Sequence, residues 1–296
     1  MRTQSNPARQ DLLENQPQRL PDGQPTVPIE YRYKGVEEER LRYELSLCET
    51  QLGDEHAETL HVLQKLGKVL MEQGRYRSAE ETSRRLLMGC QNEYGKDHSS
   101  TIQAVEQLGQ VLVYQGFYKR AEKFHQRAFD ARKSLLGAEH PDTLTSMANL
   151  ASTYRNQGRW KEAEELEVQV METFKRVLGA EHPSTLTSMA NLASTYRNQG
   201  RWNEAEELQA EELDICKRVL GKDHPDTLIS MANLALIFNG VAKEDEAIML
   251  IQECYERRKE VLGPDHPLTK SSADTLNEWR MERLRLDSSI ERAGCE

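Results

Sequence analysis

Between Leu144 and Tyr154 the apolar residues fall at Leu144, Met147, Ala148, Leu150, Ala151 and Tyr154. That spacing of three and four marks one face of a helix. A polar break, Asn156-Gln157-Gly158-Arg159, comes next, and a second stripe runs through Ala163, Leu166, Val170, Phe174 and Val177. The pattern predicts two helices joined by a glycine turn, the second beginning at Trp160. Pro141 suits the first position of the earlier helix, and Asp142 places negative charge at its positive end. Leu178-Gly179 closes the later helix, with glycine where helices commonly end. Short connections make the two antiparallel.

The same pattern returns every 42 residues: His56, His98, His140, His182, His224 and His266 share one phase. Around them runs the phrase Leu-Gly-x-x-His-Pro-x-Thr-Leu, clearest at Leu136 to Leu144, Leu178 to Leu186 and Leu220 to Leu228. Gly137 to Leu166 and Gly179 to Leu208 differ only at Asp142/Ser184 and Lys161/Asn203. A fixed period of this length predicts stacked helical repeats. The reading gives full repeats at 54–95, 96–137, 138–179, 180–221 and 222–263, with a terminal capping helix at 264–286. A half repeat at 34–53 precedes them, with Val36, Leu41, Tyr43, Leu45 and Cys48 near helical spacing. Five of the ten prolines fall in residues 1–33, which predicts a disordered tail there, and residues 287–296 form a second tail.

Composition narrows the function classes. A hydrophobic fraction of 37% and an aromatic fraction of 6% suit an array whose units each bury one face. A net charge of -10 argues against nucleic-acid or anionic-membrane partners. No apolar run is long enough for a membrane span, and the first twenty residues hold no apolar signal core. Cys48, Cys90 and Cys216 share one phase. Equivalent positions stack roughly 10 Å apart, too far for a disulfide, so free thiols in a reducing, cytoplasmic setting are expected. The six phased histidines stand just before a helix start, where an imidazole either accepts a hydrogen bond from an exposed helix N–H or packs on the next unit. They are read as structural rather than as metal ligands, since stacking keeps them apart. No phosphate loop, nucleophile elbow or zinc-helix motif occurs, so neither enzyme chemistry nor a cofactor is expected. The pairs Glu164-Glu165 and Glu206-Glu207 are read as helix surface.

Leu150-Ala151-x-x-Tyr154, Gly158, Trp160 and Ala163 resemble the tetratricopeptide helical hairpin. Leu66-Gly67, Gly74, Tyr76 and Ala79 repeat the pattern, as do Leu108-Gly109, Gly116, Tyr118 and Ala121. The unit length and the Leu-Gly-x-x-His-Pro phrase are similar to the repeats of kinesin light chains. Nephrocystin-like proteins and the sensor regions of NACHT or NB-ARC ATPases carry similar arrays. The resemblance covers about residues 34 to 286 and implies an all-α fold, a right-handed superhelical solenoid of antiparallel helix pairs. It implies a protein–protein interaction scaffold or adaptor that holds a peptide segment in its concave groove. The alternative role is a regulatory array acting with a NACHT/NB-ARC-type ATPase partner. Two departures stand out: Ala242 replaces the turn glycine and Glu244 the aromatic, so an irregular turn is expected there. Glu212 replaces Val170 in the buried stripe, which is expected to weaken it.

By the family's usual phasing, first helices line the groove. Asn149, Asn191 and Asn233 form a ladder on them, with Ser152, Ser194, Arg155 and Arg197 beside it. Lys65 and Lys68 extend a basic lining. The resemblance implies that such asparagines pair with the backbone of an extended ligand; the other reading is that they tie neighbouring helices together. Arg155 and Arg197 would meet ligand carboxylates, unless they pair within the array. An acidic peptide with one or two apolar anchors is the expected partner.

Overall fold

The computed structural model describes residues 29–293, with side chains described for 35–285. The chain is an all-α solenoid. Its helices are α1 Ile29–Leu52, α2 Ala57–Glu72, α3 Tyr76–Tyr94, α4 Ser99–Tyr114, α5 Tyr118–Leu136 and α6 Pro141–Asn156. They continue with α7 Trp160–Leu178, α8 Pro183–Asn198, α9 Trp202–Val219, α10 Pro225–Gly240, α11 Glu244–Leu262 and α12 Pro267–Ala293. Each helix packs on the next in the chain. The even-numbered helices also touch one another in sequence from α2 to α10 and so line one face of the array.

The repeated phrase is a structural lock. In all six copies the histidine Nδ1 accepts the backbone N–H two residues on, at 3.1–3.3 Å. This satisfies one of the donors that a helix start leaves open. The threonine of the phrase donates its hydroxyl to the glycine carbonyl six residues back, at 2.7–2.8 Å for Thr59, Thr101, Thr185 and Thr227. A second clasp joins successive hairpins from outside. Arg75 reaches Glu38 (2.6 Å), Arg159 reaches Glu122 (2.9 Å), Arg201 reaches Glu164 (2.6 Å) and Lys243 reaches Glu206 (2.5 Å). Glu164 and Glu206 thus serve the stacking.

Several sequence expectations change. The tail expected at residues 1–33 lies outside the described residues up to residue 28; from Ile29 the chain is already helical in α1. α12 runs on to Ala293, past residue 286, because no glycine or proline interrupts it after Pro267. In α1 the inner face is Glu38, Leu41 and Leu45, whereas Val36 and Tyr43 are exposed. In α7 it is Ala163, Glu167, Val170 and Phe174, whereas Val177 is exposed. Trp160, which opens α7, is 40% exposed. The turn at Ala242 is regular: Lys243 N–H reaches the Phe238 carbonyl at 2.9 Å, as Arg201 N–H reaches Tyr196. Ala242 adopts φ 60°, the left-handed conformation that glycine takes at Gly158 and Gly200. The irregularity is therefore strain at one residue rather than altered geometry.

Candidate functional site

The even-numbered helices carry small and polar residues outward at the ladder positions. Between α8 and α10, above α9, these residues enclose a cavity of about 250 Å³. Thr187, Ala190, Asn191 and Ser194 form one wall, and Ile229 and Asn233 the other. Glu212, Cys216 and Ser230 lie at its base. The side-chain amides of Asn191 and Asn233 are half-buried and make no hydrogen bond to the protein among the described residues. Asn149, one unit earlier, turns its side chain to the Glu106 carboxyl. The ladder therefore splits: Asn149 ties neighbouring helices, while Asn191 and Asn233 face open space.

The predicted cations divide in the same way. Arg155 is largely buried, and its Nη1 donates to Glu167 at 3.0 Å and to the Asn191 carbonyl at 2.9 Å. It belongs to the packing rather than the groove lining. Arg197 holds the same phase one unit on, but the counterpart of Glu167 is Gln209. No carboxylate pairs with Arg197 among the described residues, and burial together with the charge of Arg155 lowers its pKa. Ser194 lines the cavity and Ser152 does not. Lys65 and Lys68 are exposed on α2, three hairpins from the cavity. Lys65 occupies the ladder phase of its own unit, and Gln107 occupies it in the next, where it bonds Ser83 at 3.3 Å.

Glu212 is the residue that sequence reading undervalued. Leu86, Ala128 and Val170 hold its phase in the preceding units. Its side chain is buried, yet the hydrophobic stripe is not simply weakened: three donors converge on the carboxyl. Ser230 Oγ donates to it, Gln209 Nε2 does so at 2.6 Å and Cys216 Sγ at 2.9 Å. Burial raises its pKa, and the Ser230 and Cys216 donors offset this only in part. No lysine or arginine pairs with it among the described residues. The cavity therefore has a polarised acceptor at its base and two open amides at its mouth.

Buried polar groups recur at one phase of the second helices, at Ser83, His125, Glu167 and Gln209. His125 Nδ1 meets Thr153 Oγ1 at 2.8 Å, and Gln209 Nε2 donates to Ser230 Oγ at 3.0 Å. Burial pushes Glu167 up to about 7 against the pull of Arg155, and burial pushes His125 down to about 4. Glu106, paired with Arg132 and Ser146, is also raised by burial. Cys48, Cys90, Cys216 and Cys254 are free thiols, and burial raises Cys90, Cys216 and Cys254. No group of three or more His, Cys, Asp or Glu side chains converges for a metal among the described residues. No described helix is long and apolar enough to cross a membrane.

Comparison with known proteins fits this geometry. The tetratricopeptide repeat profile matches residues 100–176, 157–211 and 184–260, overlapping stretches that span more than half of the chain. No curated protein sequence matches. Among solved structures, a kinesin light chain-like protein from Podosopora anserina with nearly identical TPR-like repeats is 26% identical, with a TM-score of 0.58. The match covers 69% of this chain and 97% of that one. BtubC (BKLC) from P. vanneervenii is 17% identical, with a TM-score of 0.60 over 81% of this chain and 95% of its own. The apo quorum sensor NprR from B. thuringiensis is 16% identical, with a TM-score of 0.62 over 87% of this chain and 67% of its own.

Proposed function

Because the chain belongs to the tetratricopeptide repeat family, in the kinesin light chain-like form, we propose that it is a non-catalytic cytoplasmic adaptor. It holds an extended segment of another protein in the groove of α6, α8 and α10. The observation that carries this reading is the pair of open amides, Asn191 and Asn233, over one cavity. An amide offers a donor and an acceptor together, which matches a peptide unit. Ladder positions one hairpin apart stand roughly 10 Å from each other, about three residues of extended chain. The two asparagines would thus address every third peptide unit.

The remaining groups sort the ligand by chemistry. A donor side chain, amide or ammonium, fits over Glu212. A carboxylate fits Arg197, which has no protein partner among the described residues. Ile229 and Leu236, 42% and 41% exposed on α10, offer the apolar anchorage. The ligand is therefore of mixed charge along its length, acidic at one end of the groove and donor-bearing at the other.

Selection of twelve-residue peptides from a random library on the purified chain supplies a probe for the test. Asn191→Ala combined with Asn233→Ala should weaken that peptide at least tenfold, about 1.4 kcal/mol, with little change in thermal unfolding. A variant that melts early yet binds as before would make the ladder structural. Failure to select any peptide would also count against the groove.

A further inference from the structure

A second cavity, larger than that of the groove, lies away from it. About 1030 Å³ in volume, it runs along the outer face of α5, from Gln157 and Arg159 at one end to Lys96 and Ile102 at the other. Its floor is apolar, with Ile102, Val105, Ala128 and Ala131. Along one wall stand Lys119, Lys123 and Arg127, each four residues from the next. None of the three forms an ion pair among the described residues. The nearby carboxylates are engaged differently. Glu122 accepts from Gln157 and Arg159, each at 2.9 Å, and Asp130 accepts from Gln126 at 2.9 Å. Asp97 stands at the rim beside Lys96.

At Lys123, and at Arg127 relative to the later repeats, this stripe reverses the sign that the array carries, while the phase of Lys119 is cationic again at Arg77 and Lys161. The phase of Lys123 is held by Glu81, Glu165, Glu207 and Met249, and that of Arg127 by Arg85, Gln169, Glu211 and Glu253. α9 thus presents Glu207 and Glu211 where α5 presents Lys123 and Arg127. Stacking does not require the cations, since the same positions accept glutamate in the same fold. On a chain of net charge -10 a patch of this sign attracts anionic chemistry locally.

We propose that the outer groove of α5 is a second docking surface, for an extended acidic segment of a partner protein. Helix residues four apart rise by about 6 Å. Alternate side chains of an extended strand repeat every 6.6 Å or so and point the same way. A segment with glutamate or aspartate at alternate positions therefore meets Lys119, Lys123 and Arg127 in turn. Its intervening residues lie over the apolar floor.

The repeats themselves supply the test. Lys123→Glu with Arg127→Glu installs the residues that α9 already carries, so the helix should be retained; circular dichroism checks this. The probe is a fluorescent (Glu-Ser)6 peptide at low salt, with Lys123→Ala/Arg127→Ala as the milder variant. The intact chain should bind it, more weakly as salt rises. Glutamate at both sites should lower affinity at least tenfold, and Asn191→Ala/Asn233→Ala should leave it unchanged. The asparagine control separates this surface from the concave groove. Unchanged binding by the glutamate variant, or no binding by the intact chain, overturns the proposal. Equal competition by a twelve-residue oligothymidylate would also overturn it, by showing a patch for any polyanion.

Discussion

The Arg155 guanidinium lies 3.0 Å from the Glu167 carboxylate, and 42 residues on the same two positions hold Arg197 and Gln209. Two nearly identical hairpins therefore differ in a buried charge. In the first, the cation is consumed by the packing. In the second, the cation has no acid beside it among the described residues.

Removing the two arginines should have unequal effects. Arg155→Ala leaves Glu167 buried without its cation, and at pH 8 it should cost about 3 kcal/mol. Arg197→Ala breaks no ion pair and should cost below about 1 kcal/mol. Chemical denaturation followed by far-ultraviolet circular dichroism measures both. Equal losses would mean that Arg197 is tied into the array.

Stability should depend on Glu167 in a defined direction. Burial raises this acid from 4.5 to about 7, so the folded chain holds the proton more tightly than the unfolded chain. The contribution is complete below about 4.5, is lost as pH climbs to about 7, and is level above that. At 1.36 kcal/mol per pKa unit the loss is at most about 3 kcal/mol. His125 acts in the opposite sense. Burial lowers it from 6.5 to about 4, so its contribution is lost as pH falls through that window. Comparing Glu167→Gln with the intact chain isolates the first effect. The stability difference between them should shift in favour of the variant from about pH 4.5 to pH 7. A difference that stays constant with pH would show an ordinary carboxyl.

Glu212→Val restores the residue that Val170 supplies one hairpin earlier. Exchanging a buried acid for a packed apolar side chain should raise stability by about 1 kcal/mol above pH 7. The same change removes the acceptor at the base of the cavity and should weaken the selected groove peptide. Thermal unfolding and fluorescence polarisation read the two effects. A less stable variant would mean that the carboxyl holds α9 to α10 through Ser230.

Ala242→Gly should stabilise the final turn. Ala242 sits at φ 60°, where a Cβ is strained, and relief is worth about 1 kcal/mol. Differential scanning calorimetry would register the gain. No change would mean that the turn relaxes around alanine without cost.

Much of the architecture was legible in the chain. The hydrophobic spacing, the glycine turns and the His-Pro caps all act within a few residues. Each reads correctly from local order: Pro141 opens α6, Trp160 opens α7 and Gly179 caps α7. Reading one face of a helix in isolation went astray where neighbouring helices intrude. Val177 matched the apolar spacing but is 45% exposed, whereas polar Glu167 is buried and paired with Arg155 of the preceding helix. Ala242 announced a broken turn, yet its flanking hydrogen bonds outweigh the strain of one residue.

The groove was legible only as a set of positions. Repeat phase picked out Asn149, Asn191 and Asn233 as equivalent, because stacking gives every unit the same kind of neighbours. It gave no way to see that Asn149 turns to Glu106 while the other two face a cavity. That depends on which side chain the adjoining hairpin presents, and the hairpins differ at those points.

By itself, the chain determined a helical array, its period and its caps, since these follow from spacing along the backbone. Tertiary packing alone decided which polar groups became partners. Burial penalises a charge and a partner offsets that cost. The partner that local order does not reveal comes from another helix, as Glu167 does for Arg155. Ser230 does the same for Glu212, beside its in-helix donors Gln209 and Cys216. Arg155 finds Glu167, Glu212 finds only neutral donors, and Lys123 faces outward among residues of the wrong sign for its phase.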